Sequence, residues 1–412
     1  MFRNRLAIFG LILAGLTLVF LTTAPPATAA TPQSLALIGA TVYSSPTAPP
    51  MTDAVVLTAN GVITAVGKRA EIKIPKDARV IDCAGKTIVA GFWNSHIHLT
   101  ESAWNNAATA PAATLEMHMQ EMLTRWGFTT VWDLGSDPQN SLALRGRVES
   151  GEVPGPQILL AGDIFPKGGH PVYLPAEMQL PEAATSEEAA KMARYYLSQG
   201  LDGIKLFTGT FMGDKPVINM DVAIVKAAVE VAHTKGKPVF AHPQNPTGAD
   251  NALAGGVDIL AHTLPSEPDY TPEELSLFKS QHTALIPTLT LWTTVVPDPT
   301  ATAYIVQHGV TQLKSFSADN GNRVLFGTDV GFIHIYDTSL EYEFMHRALS
   351  AGEILASLTT NPAAYFKADK KGRVEKGLDA DLVVLDADPV ADVHNLAKVA
   401  YTIRAGQIIY QK

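Results

Sequence analysis

The run Ile88-Val89-Ala90-Gly91-Phe92-Trp93-Asn94-Ser95-His96-Ile97-His98 decides how this chain is read. An apolar stretch opens it and two histidines close it. In a β-strand, residues i and i+2 point to the same face, so an extended His96-Ile97-His98 brings both imidazoles to one side. Working outward, further apolar runs recur at 129–132, 157–161, 203–207, 239–241, 259–261, 284–289 and 324–327. Amphipathic windows at 115–126, 186–198, 222–234 and 272–279 fall between them. Eight strand-like runs alternating with helices over ~275 residues have the size and rhythm of a (β/α)₈ barrel, an α/β fold. A doubly wound open sheet is the alternative, weakened because no G-x-G-x-x-G follows the first run.

Barrel enzymes build their sites at the C-terminal ends of the strands. Metal-capable residues fall there in this chain. Besides His96 and His98, Lys205 sits in the fourth run, His242 follows Ala241, His262 follows Ala261, and Asp329 follows Gly327-Thr328. Each has a plainer reading when taken alone. His242 or His262 fits a hydrogen-bonded core histidine, Asp329 a helix cap, and the first pair a surface strand. Lys205 has no cheap structural role, because burying an ammonium without a partner costs several kcal/mol. The coincidence of all these positions at strand ends points to a metal-binding barrel mouth.

Short alternating runs at 35–38, 54–57, 62–66 and 79–81 precede the barrel, and others at 381–385, 399–403 and 407–410 follow it. Termini often lie close together, so the two flanks are expected to join. We expect a small β-sandwich from residues 31–92 with 367–412, and the barrel from 93–366. At the N-terminus, Arg3 and Arg5 precede an apolar stretch at 6–21, then Pro25-Pro26 and Ala27-Thr28-Ala29-Ala30. That order reads as an export leader over residues 1–30, cut near Ala29 or Ala30, with an uncleaved anchor as the alternative. The expected protein is exported, periplasmic or extracellular, with no stable membrane span after processing. Of 412 residues, 46% are hydrophobic and 17% charged, which excludes a disordered chain. A net charge of −9 argues against nucleic acid as partner. The single cysteine, Cys83, excludes an intrachain disulfide.

His96-x-His98 after Gly91-Phe92, together with Lys205, His242, His262 and Asp329, resembles the amidohydrolase superfamily in its binuclear-metal form. The likeness is to imidazolonepropionase-like amidohydrolases, the branch that includes Xaa-Pro dipeptidases, and it extends to the closing run Gly377-Leu378-Asp379-Ala380-Asp381-Leu382-Val383. The resemblance implies a metal-dependent hydrolase of carbon–nitrogen bonds (amide, peptide or cyclic amide, or a related ester or lactone) using a metal-activated water. It implies two divalent cations, zinc first and manganese, cobalt or iron as alternatives. His96, His98 and Asp329 would hold one, His242 and His262 the other, with Lys205 carboxylated on Nζ to bridge them. Asp329 would also shuttle the proton. An exported non-catalytic barrel, or an isomerase or decarboxylase on the same scaffold, is the alternative.

Substrate choice lives in the loops after the strands. His170, in Gly168-Gly169-His170, is a candidate to bind the substrate carbonyl as a catalytic residue. The loops are otherwise aromatic and apolar, with Trp104, Tyr173, Phe211, Trp292, Phe332 and Tyr336, and they lack an arginine to fork a free carboxylate. Arg145 and Arg147 sit in an expected helix. Lys167 and Lys215 are the cations left to receive a carboxylate. A small, largely apolar substrate is therefore expected, and the oligomeric state is left open.

Overall fold

The computed structural model describes residues 34–412; the expected leader lies outside them. Seven parallel strands form the barrel wall: Phe92–Ile97, Phe128–Asp133, Gln157–Pro166, Gly203–Phe207, Val239–His242, Ile259–Ala261 and Ala284–Ile286. They pair in chain order, each with the next. The eighth expected strand is an extended segment rather than a regular one. It closes the ring by single bridges, Val324 to Leu285 on one side and Val330 to Ile97 on the other. Ser95 N–H also donates to Phe326 O at 2.7 Å. The segment runs too close to its neighbours for an ordinary ladder. A Cβ at Gly327 would lie 2.4 Å from Ile286 and 2.8 Å from His96, so only glycine fits there.

The run that opened the reading divides at Gly91. Thr87–Ala90 belongs to a different sheet, and the barrel strand begins at Phe92. The hydrogen bonds show the handover: Gly91 N–H donates to Asp381 O, whereas Phe92 N–H donates to Gly127 O in the barrel. A Cβ at Gly91 would fall 2.2 Å from the Thr129 hydroxyl, which is why the crossing point has no side chain.

The second sheet has eight strands drawn from both chain ends. Leu382–Leu385 pairs antiparallel with Thr87–Ala90, which joins the C-terminal strands to the N-terminal ones. The sheet branches at Leu35–Val42: its first half pairs with Arg79–Asp82 and its end with Thr87–Ala90. The expected sandwich is thus one continuous, branched sheet. Its apolar core takes Leu37, Val56, Cys83 and Ile88 from one end of the chain and Leu382, Val384 and Ile403 from the other.

Helices cover the barrel, and several start on sequence-legible caps. Thr185, Thr271 and Ser350 each make a reciprocal capping box with a glutamate three residues on. The expected windows 186–198, 222–234 and 272–279 appear as Ser186–Ser198, Val222–His233 and Pro272–Gln281. Among the described residues, no helix is long and apolar enough to cross a membrane.

Candidate metal centre

The barrel geometry carries the sequence-predicted side chains to one end. His96 and Asp329 are buried, and His98 is partly exposed beside them. His96 Nε2 lies 3.1 Å and His98 Nε2 3.0 Å from Asp329 Oδ1, and the two Nε2 atoms are 3.3 Å apart. The His262 ring lies tilted at 4.8 Å from His96 and edge-on at 4.7 Å from His242. One donor atom each from His96, His262 and Asp329 falls within a 4.8 Å span. Lys205 is buried in the same wall, paired in register with Asp163 on one side and Phe240 on the other.

Local backbone aims these groups. Asp329 and His262 adopt the left-handed region, at φ 61° and 73°. For non-glycine residues that conformation is uncommon and marks a constrained site. Asp329 N–H donates to His96 O at 2.9 Å, locking the first and last strand ends together. Gly331 passes against His98 so closely that a Cβ there would meet the His98 carbonyl at 1.7 Å.

Hydrogen bonds at the back of the rings fix two tautomers. His98 Nδ1 lies 2.8 Å from Gly135 O, which can only accept, so Nδ1 carries a proton and, in the neutral ring, Nε2 offers its lone pair. His262 Nδ1 meets Thr288 Oγ1 at 2.6 Å, and that hydroxyl donates to Pro287 O. Its single proton is thereby used, so His262 also presents a bare Nε2. His242 Nε2 faces Gln244 Oε1 at 3.1 Å.

Electrostatics follow burial. Desolvation pushes His96 down to about 3 and His242 down to about 4, with Lys205 adding to each, and it lowers His262 strongly. These imidazoles are neutral at ordinary pH. Burial also disfavours a charged His98, but Asp329 outweighs it and raises the ring. Burial alone would raise the Asp329 carboxyl; the His96 and His98 imidazoles overcome it and hold it well below the carboxylate range. Burial brings Lys205 down to about 7, against the opposing pull of Asp329 and Asp163.

The residues present fit a bound cation. His96 Nδ1 and Asp329 Oδ1 are buried without a well-aligned hydrogen-bond partner. Neutral imidazole nitrogens and a carboxylate oxygen, crowded together with lone pairs facing, repel one another unless a positive centre joins them.

Other candidates lie elsewhere. His170 bonds within its own loop, Nδ1 to Pro171 O at 3.1 Å and Nε2 to Met178 O at 3.2 Å, and the structure does not bring it into the cluster. Trp104 is fully buried against His118, at 4.4 Å, and does not line the mouth. Lys167 is paired with Glu182 at 2.9 Å. Arg145 and Arg147 are in a helix, as expected, and are occupied by Asp202 and Glu152. Aromatic rings lie beside the cluster: Phe207 stacks on Phe165 at 3.9 Å and approaches His242 at 5.2 Å, and Tyr173 meets Phe332 at 5.1 Å.

Sequence reasoning missed two carboxylates. Asp163 rises to about 6 through burial, next to His98 and Lys205. Its place in the third strand, where strand neighbours face the mouth, was the available signal. Glu101 ties the first loop to the last, accepting from Tyr336 at 2.6 Å with His118 and His334 at 2.7 and 2.9 Å. No local pattern marks that meeting, because its members are far apart in sequence.

A model of the family described as "Amidohydrolase family" matches residues 87–409. A curated imidazolonepropionase of Thermoplasma acidophilum is 36% identical over 101 residues, which is 23% of this chain. That alignment spans 25% of the relative's length. A solved candidate prolidase from Bifidobacterium longum is 26% identical, with 92% of this chain and 95% of that one covered and a TM-score of 0.77. A prolidase solved with N-methylphosphonate-L-proline shares the fold at 23% identity, 92% and 100% coverage and a TM-score of 0.77.

Proposed function

The chain belongs to the amidohydrolase family, and from that premise we propose that it hydrolyses a carbon–nitrogen bond in a small, largely apolar amide, peptide or cyclic amide, with related esters or lactones as further substrates. The observation that carries this reading is the approach of His96 and His98 Nε2 to within 3.1 Å of a single Asp329 oxygen that lacks a hydrogen-bond partner. His96, His98 and Asp329 would hold one divalent cation, His242 and His262 a second, with Lys205 between them. Zinc is assigned first because imidazole and carboxylate suit it; manganese, cobalt and iron suit the same donors. Bound there, such cations supply Lewis acidity toward a carbonyl and lower the pKa of water.

The chain's own residues do the rest. Lys205, lowered to about 7 by burial, is partly a neutral amine at ordinary pH. Its Nζ lone pair can add to the carbon of CO₂ and release one proton. The carbamate formed is anionic and has two oxygens, where an ammonium would repel cations. Asp329, held ionised, takes the proton from the attacking water and delivers it to the leaving nitrogen. The His98 and His262 tautomers keep both Nε2 lone pairs aimed inward. Phe207, Phe165, Tyr173 and Phe332 supply an apolar wall, which favours an apolar substituent next to the scissile bond. The Bifidobacterium longum relative, named for a prolidase, supports including dipeptides. Free-carboxylate substrates would have to rely on Lys215 or a cation.

Export remains part of the proposal, on the leader pattern alone; mass spectrometry should find a new N-terminus between about residues 28 and 33. For the activity, purified zinc-loaded protein is offered N-acyl amino acids, dipeptides, lactones and aryl esters. Hydrolysis of at least one amide is expected, lost on chelation and regained with zinc. Failure on the whole panel by a protein that carries its zinc would overturn the reading.

A further inference from the structure

Thr288 follows the seventh barrel strand with φ 44°. A β-branched side chain avoids the left-handed region, so something must hold this turn. Its hydroxyl fixes the His262 tautomer, as described above, and that requires the hydroxyl to stay where the turn puts it. The two next residues are gripped from outside the turn. Glu341, on the helix Ser339–His346, accepts from Leu289 N–H with Oε1 at 2.9 Å and from Thr290 N–H with Oε2 at 2.7 Å. Glu341 is only 1% exposed, and among the described residues the groups acting on it are the Leu289 and Thr290 hydrogen bonds, with no lysine or arginine. A buried carboxylate without a cation is costly, and a neutral side chain of the same shape would be cheaper to bury. Fold stability therefore gives no reason for a charge here. Above about pH 7, where Glu341 ionises, its carboxylate offers what a neutral side chain lacks: two equivalent acceptors, one for each of two consecutive amides.

We propose that Glu341 is a positioning residue that clamps the Pro287–Thr290 turn through both amides, so that the strained Thr288 holds His262 with Nε2 bare toward the centre. The proposal rests on the metal-hydrolase reading above, and Glu341 itself touches neither cation nor substrate. Gln at this position keeps the volume and one acceptor, but turns its amide NH₂, a donor, toward one of the two N–H groups. The turn would relax, and His262 would lose its single tautomer.

The test uses the full-length protein and two readouts that do not depend on turnover. In metal-free protein, long-range ¹H–¹⁵N spectra, with the His262 signals identified by a His262→Gln control, should show one Nδ1–H form in the wild type. Mixed tautomers are expected in Glu341→Gln. Zinc affinity should fall about tenfold, as for other residues that orient a ligand, and kcat should fall more than KM changes. The melting temperature should hold or rise, because a costly buried charge is gone. Thr288→Val should show the same tautomer and zinc losses, and Thr288→Ser should regain the tautomer signal. Adding Glu341→Gln to Thr288→Val should add little, since both act through one hydroxyl. Glu341→Gln with a wild-type His262 spectrum and zinc affinity overturns the clamp. So does a lower melting temperature with both readouts unchanged. If Glu341→Gln is insoluble, Glu341→Asp is read the same way, and loss of folding in both makes Glu341 a folding residue and overturns the proposal. If the wild type holds no zinc, the hydrolase reading fails, while the tautomer comparison still judges the clamp.

Discussion

The barrel mouth and the terminal sheet obey different rules. In the terminal sheet, left-handed residues sit at the hairpins Asn60-Gly61 and Ala405-Gly406 between paired strands, and once inside a strand, at Asp53 beside a register shift. The core there is mostly apolar, its buried charge Asp381 is paired with Lys371, and the Lys86–Asp386 pair stays nearer the surface. At the mouth, His262, Thr288 and Asp329 are left-handed with no glycine among them. Lys205, Asp329 and Glu341 are buried, and polar atoms lack partners. Departures from local rules are concentrated at the mouth. Strain and buried charge survive only where surrounding packing over-determines them, and they concentrate where chemistry needs a fixed geometry.

That contrast can be broken most decisively at Asp329. Asparagine keeps the shape and one coordinating oxygen but cannot take a proton near neutral pH. Asp329→Asn should keep much of its zinc and lose on the order of 10²–10⁴ in kcat, the usual cost of a lost general base. Wild-type kcat would reduce Asp329 to a structural residue and put the mouth under the same rules as the sheet. Lys205→Ala comes next. Metal analysis should find fewer ions and assays a lower rate, and short-chain carboxylic acids should restore part of it by filling the vacated space. Two tightly held ions with unchanged turnover would remove Lys205 from the centre.

The sheet should respond in the opposite sense. Leu382, buried where the two chain ends meet, is a core residue. Leu382→Ala should cost about 2–5 kcal/mol in denaturant unfolding, while kcat per folded molecule stays at the wild-type value. A kcat loss at constant fold would mean that the two regions are coupled. The smallest effect is a pH slope. Burial raises the Glu341 carboxyl from 4.5 to about 7 in the folded chain. The folded state then keeps a proton that the unfolded chain has released, so stability falls as pH rises through that window. Relative to Glu341→Gln, wild-type melting temperature should decline between about pH 4.5 and 7; a parallel pair of curves would show that the carboxylate is not desolvated.

Much of the fold was legible because its signals are local. The alternation of apolar runs and amphipathic windows located seven regular strands and the helices at 186–198, 222–234 and 272–279. Two errors share one physical cause. Ile88–Phe92 looks like one strand, yet Gly91 divides it between two sheets, because hydrophobicity reports burial and not which partner provides it. The run at 324–327 looks like a regular strand, yet it is an irregular closure, because ladder geometry depends on neighbours that the segment cannot encode. His118 and His334 lack the strand-end placement that marks the metal-capable residues, and both meet Glu101.

By itself the sequence determined the barrel, the joining of the two ends into a small β unit, and which side chains could supply a metal-binding mouth, since strand periodicity and strand-end placement are properties of short segments. Only the tertiary structure decided which of them converge within 3.1 Å, that His170 turns back into its own loop, and what the carboxylates at 101, 163 and 341 meet. Those outcomes depend on contacts between residues tens to hundreds of positions apart. Distance, burial and tautomer are set by the neighbours that the whole fold brings together, and no local pattern carries them.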